Sequence, residues 1–268
     1  MVKCHRRGCG SKRGKIDRIA FESIAFQVLA SIMTVMEFCC LPPCMSFGYN
    51  ILPMDNLRNG SVLGCFLCSP DPDLIYRKGP SGVALSGLGP IVSGYSVVAT
   101  CEHIASAADA AAGQAPGFTA FACEVRVRLA SLYGGCLLTE HGRVPVCVDV
   151  SGTTDPHCHH AHFLVFPQAP DLQARVREHF LRADYAATLE EALWIAATHE
   201  EYFLFSQEPT HYLVLTRPGR IIRQFARLIV EEALGHPEFA NWRHHPHYDE
   251  AACTARQLRS VFQGERSV

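Results

Sequence analysis

Residues 157–162 read His-Cys-His-His-Ala-His and run without a break into Phe163-Leu164-Val165-Phe166, which Pro167 closes. Four histidines in six residues, out of 14 in the whole chain, sit against an apolar stretch too short for a helix and suited to a buried strand. Strand side chains alternate between faces, so His160 and His162 point one way and His159 the other. Two imidazoles fixed side by side on a buried strand can divide two tasks. One can hold a metal or be oriented by a neighbour, and the other can act as base or nucleophile.

The rest of the chain bounds the setting. It has 268 residues, 48% hydrophobic and 19% charged, enough to bury a large core. Its 24 basic and 26 acidic side chains give a net charge of -2, so no nucleic-acid partner is expected. No apolar run reaches the roughly 18 residues a membrane span requires. The 13 cysteines are odd in number and follow no signal-peptide pattern, which points to a reducing, cytoplasmic compartment. Residues 1–18 are basic, and 19–38 have a rough helical period.

The pattern between 59 and 180 is α+β. Gly82 to Thr100 predicts two strands joined by a tight turn, 104–111 a short Ala-rich helix, and 118–133 an amphipathic helix. Cys136 to Thr139 predicts a strand ending at Glu140-His141-Gly142. Beyond it, 172–200 reads as helical with Trp194 facing a core. Tyr202–Phe205 and Tyr212–Thr216 read as a hairpin. Residues 221–234 read as a helix stopped by Gly235, with Ile222, Phe225, Leu228, Ile229 and Leu234 on one side.

Cys65-Phe66-Leu67-Cys68 is a C-x-x-C pair after Gly64 and before Ser69-Pro70. It fits half a zinc site in a knuckle turn, a redox pair, or a turn with no ligand role. A closed structural zinc site takes four nitrogen or sulfur ligands. Cys65 and Cys68 supply two, His160 a third, and His103 is the best fourth, with Cys158 the main rival for either histidine.

These motifs together resemble the HIT (histidine triad) superfamily of nucleotide hydrolases and transferases over about residues 60–170. The triad strand matches as His160-Ala161-His162-Phe163-Leu164-Val165-Phe166-Pro167. Cys65-x-x-Cys68 is similar to the zinc pair of zinc-bearing members. Gly89 to Val98 is similar to the family's Pro-Gly-His strand segment. His103 falls where members carry a histidine after the next strand. Glu140-His141-Gly142 resembles the acidic-Gly motif before the triad. Beyond 170, Gln224-Phe225-Ala226-Arg227, Leu234 to Glu238 and Trp242-Arg243 resemble an extension found in some bacterial members.

The resemblance implies a HIT-like antiparallel sheet with packed helices over 59–170. An N-terminal extension (1–58) precedes it, and a C-terminal α+β extension (171–268), a helix-hairpin-helix unit, packs on the core. It implies a structural Zn2+ and a nucleoside phosphate or nucleotide conjugate as substrate. His162 would attack the α-phosphorus to form a nucleotidyl-histidine, oriented by the backbone carbonyl near His160. His157, His160 and Glu140 join His162 in the implied catalytic set, and His159, Thr154, Arg223, Gln224 and Arg227 in the nucleotide-binding set. A homodimer is a further expectation, since small members dimerise. Two departures stand out. Leu164 occupies the third triad position, where other members carry a hydrogen-bonding side chain, and His157 stands where many carry Ser or Cys. A shifted triad of Cys158, His160 and His162 is the alternative alignment. A zinc-stabilised nucleotide-binding protein and a zinc-dependent hydrolase with an open water site are the alternative functions.

Overall fold

Stretches rich in β-branched and aromatic residues pair into one large sheet, because such side chains fit a pleated, half-buried surface. The computed structural model describes residues 65–143, the backbone of 146–148 and 154–156, and residues 160–264. The expectations for residues 1–58 lie outside these. Eight strands form a sheet: β1 (Ile75–Lys78), β2 (Gly82–Ser86), β3 (Ser96–Thr100), β4 (Cys136–Gly142), β7 (His162–Pro167), β8 (Arg182–Ala186), β9 (Tyr202–Glu208) and β10 (His211–Thr216). The order is β1-β2-β3-β7-β4-β9-β10-β8, and every neighbouring pair is antiparallel. Two short strands, β5 (Val146–Val148) and β6 (Thr154–Pro156), pair separately.

Among the described residues, five helices pack on this sheet: α1 (Phe118–Tyr133), α2 (Gln173–Arg177), α3 (Leu189–Ala196), α4 (Phe225–Leu234) and α5 (Tyr248–Gln263). A short helical turn at 107–114 precedes them. The sheet's period-two alternation divides the core. One face carries Val98, Leu138, Phe163, Val165, Leu204 and Val214 against α1 and α3. The other carries Val97, Leu137, Phe166, Phe203, Phe205 and Leu213 against α2 and α4. The sheet is therefore mixed α/β with both faces covered. β9, β10 and β8 extend it past β4, so residues beyond 170 share the sheet of those before.

Several expectations need correction. The segment 172–200 is not one helix. Arg182–Ala186 pairs with β10, Tyr212 opposite Ala186 through Thr216 opposite Arg182. A new helix then starts at Thr188. Its hydroxyl accepts from the Glu191 N–H while Glu191 accepts from the Ala187 N–H. That reciprocal cap fixes a helix start in the middle of the apolar run. Trp194 faces solvent at 74% exposure, because α3 buries Leu189, Ala192, Leu193 and Ala196 on its other side. β2 and β3 are joined by a loop over 87–95 rather than a tight turn. β4 also continues through Glu140 to Gly142. These assignments separate two neighbouring side chains in α3. Leu193→Ala is expected to lower the free energy of unfolding in urea by about 2–5 kcal/mol. Trp194→Ser should change it by no more than about 0.5 kcal/mol.

Candidate functional site

The Cys65–Cys68 turn closes with a Cys68 N–H to Cys65 carbonyl bond of 3.1 Å, which brings both sulfurs to the same side. The loop after β3 delivers His103, and the residues before β7 deliver His160. Cys68 Sγ lies 3.0 Å from His103 Nδ1 and 3.6 Å from His160 Nδ1, and Cys65 Sγ lies 3.4 Å from His160 Nδ1. All four donor atoms fall within 4.8 Å of one another, an arrangement that can hold a metal ion. Its members come from three places in the chain, so the cluster forms only when the sheet does.

The surroundings of His160 choose its ligating atom. Its Nε2–H donates to the Thr100 carbonyl at 2.9 Å, which leaves Nδ1 unprotonated and turned to the sulfurs. A carbonyl fixing the far nitrogen of a ligand histidine sets both tautomer and ring angle. Burial holds His160 down at about 4, so it is neutral at pH 7. Burial and then the adjoining Cys65 thiol push Cys68 up to about 11. Backbone bonds lock the same segment: the Thr100 N–H donates to Ala161, and the Ala161 N–H to Ile104.

One residue pair further on, the His162 Nδ1–H donates to the His160 carbonyl at 2.6 Å. That bond commits Nδ1 and leaves the Nε2 lone pair for chemistry. Burial lowers the His162 pKa, which keeps the ring neutral. Phe163 belongs to the first core, and Leu164 and Phe166 to the second. Alternation therefore puts His162 on the second face, the face to which Cys65 also belongs.

Glu140 is on the opposite face, contrary to its expected place in the catalytic set. Its carboxylate accepts from the Ala107 N–H and the Tyr202 hydroxyl, both at 2.6 Å, and it is 2% exposed. Burial raises it to about 7. It caps the helical turn at 107–114 beneath the sheet. The residue that shares the face of His162 is His141. Leu137 pairs with Phe166 and Thr139 with Leu164. Continuing that register sets His141 opposite His162, and its charge acts on His162. The His141 Nε2–H donates to Glu201 Oε1 at 2.9 Å. Neither His141 nor Glu201 was singled out from sequence as a site residue. The signal available was the strict alternation over 137–141, which sorts 140 and 141 to opposite faces.

The expected place of Gln224 and Arg227 in the nucleotide-binding set is also corrected. Gln224 is in the left-handed region, φ 55°, and ends the approach to α4, so Arg223 precedes the helix and shares no helical face with Arg227. Arg227 is buried. It donates to the carbonyls of Ala240, Leu88, Gly89 and Phe239 and lies over the Tyr95 ring. It has no freedom to bind phosphate. Gln224 bonds Asn241 and the Trp242 N–H and is likewise part of the scaffold. At Gly89, φ +59°, an added Cβ would stand 2.7 Å from the His245 carbonyl, so this loop requires glycine. His157, Cys158 and His159 lie outside the described residues. Thr154 opens β6, described as backbone alone.

No protein-family model matches the sequence, and neither does any curated protein. Among the described residues, no helix is long and apolar enough to cross a membrane.

The metal cluster predicts proton release. At pH 7 the Cys68 thiol is protonated and His160 neutral, so a bound divalent metal must displace the thiol proton, not an imidazolium proton. Affinity should therefore rise about tenfold per pH unit for each thiol proton displaced. Metal titration of the metal-free protein in weakly buffered solution with a pH indicator should show acid release. Cys68→Ala should release less.

Proposed function

We propose that the chain is a nucleotide hydrolase or nucleotidyltransferase of HIT-like architecture, working through a covalent His162–nucleotidyl intermediate. The observation that carries this reading is the 2.6 Å bond from His162 Nδ1–H to the His160 carbonyl, which presents Nε2 as a neutral nucleophile on a fixed strand. A neutral imidazole attacks phosphorus well near neutral pH and forms a labile P–N bond.

The reaction divides in two. In the first step His162 Nε2 attacks the α-phosphorus, the P–N bond forms, and the bond to the leaving oxygen breaks, its electron pair departing with that oxygen. In the second step an oxygen of water, which releases a proton to solvent, or of phosphate or a sugar phosphate attacks the same phosphorus. The P–N bond breaks and its electron pair returns to Nε2. Charge on the phosphoryl oxygens must be met by N–H donors aimed where it develops.

The metal in this reading is zinc, with a structural role. Zinc bound by sulfur at about 2.3 Å and nitrogen at about 2.0 Å in a tetrahedron gives sulfur–nitrogen edges near ~3.5 Å. The observed separations of 3.0 to 3.6 Å lie close to that. Two cysteines and two histidines leave no open position for a water, which favours a structural ion over a catalytic one. Thiolate ligands of this kind suit a reducing, cytoplasmic setting.

Leu164 favours a second reading. It sits on the His162 face and can donate no hydrogen bond to phosphate, as a nucleotide-binding protein with little turnover would tolerate. Incubation with ATP, diadenosine polyphosphate or a UDP-sugar labelled at the α-phosphorus, followed by alkaline trapping, separates the two. Acid-labile label on the wild type that disappears in His162→Ala is the expected outcome. Tight nucleotide binding with no label supports the binder. Label that survives in His162→Ala contradicts His162 as the nucleophile.

A further inference from the structure

We infer that His141, oriented by Glu201, is a further substrate-contacting residue, donating from β4 the hydrogen bond to the phosphoryl group that Leu164 cannot give. This rests on His162 being the nucleophile.

The argument is one of placement. Side chains at 137, 139 and 141 of β4 share the face that carries 162, 164 and 166 of β7, since Leu137 and Phe166 pair within the second core. Residues directly opposed in an antiparallel ladder have Cα atoms about 4.5–5.5 Å apart. Continued from Thr139–Leu164, the same register sets the side chains of 141 and 162 on one face of neighbouring strands. A phosphorus approached by the Nε2 of His162 turns its non-bridging oxygens sideways, towards the neighbouring strand.

Glu201 prepares His141 for that contact. It precedes β9, and its Oε1 accepts from His141 Nε2–H at 2.9 Å and from the Ile221 N–H at 3.2 Å. Arg220 Nη1 stands 3.8 Å from its other oxygen. A carboxylate fixed from three sides fixes the ring bonded to it. Because Nε2 is committed to Glu201, Nδ1 is left for a ligand. In the doubly protonated ring both nitrogens donate. The His141 side chain keeps 18% exposure, enough for a ligand to reach it. In the doubly protonated form the Nδ1–H can meet the negative charge growing on the phosphoryl oxygens.

A cross-strand tie is the plain alternative role for this pair. The ladder already joins β4 to β9 from Leu138–Ser206 to Gly142–Tyr202. A partly exposed ion pair adds little to such a ladder. The two roles make different predictions for rate.

The test follows label formation with the full chain and the three α-labelled substrates, alongside thermal melting of each variant. Wild type should label and His162→Ala should not. His141→Ala should label about 10²-fold more slowly, the loss seen when one such donor is removed, with His141→Asn in between. Glu201→Gln should slow labelling about tenfold in the wild-type background and not further in His141→Ala. Should His141→Ala fail to fold, His141→Asn and Glu201→Gln give the same comparison. Labelling that needs His162 but proceeds at the wild-type rate in His141→Ala overturns this inference alone. Equal slowing by Glu201→Gln in both backgrounds overturns the orienting role of Glu201. A wild type that never labels overturns the nucleophile reading, and this inference with it.

Discussion

His160 belongs to three interactions at once, and the geometry of the site follows from them. Its Nδ1 faces two sulfurs, its Nε2–H is held by the Thr100 carbonyl, and its own carbonyl takes the His162 Nδ1–H. Each bond constrains the next. The Thr100 bond settles the tautomer that can meet a metal, and a metal bound there would hold the backbone whose carbonyl orients His162. The donors Cys65 and Cys68 lie far from residue 160 in sequence, so the cluster also ties the start of the sheet to its centre.

Period-two alternation explains how one sheet keeps its scaffold and its site apart. Glu140 and His141 are adjacent in sequence, yet one is buried beneath the sheet with Tyr202 and the turn at 107, and the other reaches the His162 face. The buried Glu140–Tyr202 pair satisfies backbone N–H groups that would be costly to leave unpaired. Arg227 does comparable work on the opposite layer, with its guanidinium donors spread over four carbonyls of the 88–89 loop and residues 239–240. Two charged groups that resemble site residues in the sequence are therefore internal braces.

The gathering of Cys65, Cys68, His103 and His160 is legible in the sequence, because a C-x-x-C turn and a histidine at the mouth of a strand restrict geometry strongly. The sequence carried β3, β7 and α1 for the same reason: alternation and helical period act locally. What it did not carry depends on partners distant in sequence. Arg182–Ala186 becomes a strand only because β10 offers an edge to pair with, and its own pattern has too few β-branched residues to announce it. Trp194 looked like a core residue by type, but the adjoining Leu193 and Ala192 took the buried face of α3. Arg227 looked like a phosphate ligand because nothing local shows the carbonyls that surround it. The Glu140-His141-Gly142 motif does not itself say which residue shares the His162 face, and the partner of Glu201 lies on another strand.

The central claim is spatial: a metal held by residues 65, 68, 103 and 160 fixes a strand that aims His162 at a phosphorus. A crystal soaked with a nucleoside monophosphate and measured across the zinc absorption edge tests both halves together. The account predicts one anomalous peak among those four side chains, and a phosphate within hydrogen-bond distance of His162 Nε2. A metal bound elsewhere, or a phosphate seated away from His162 while the cluster is filled, would contradict it.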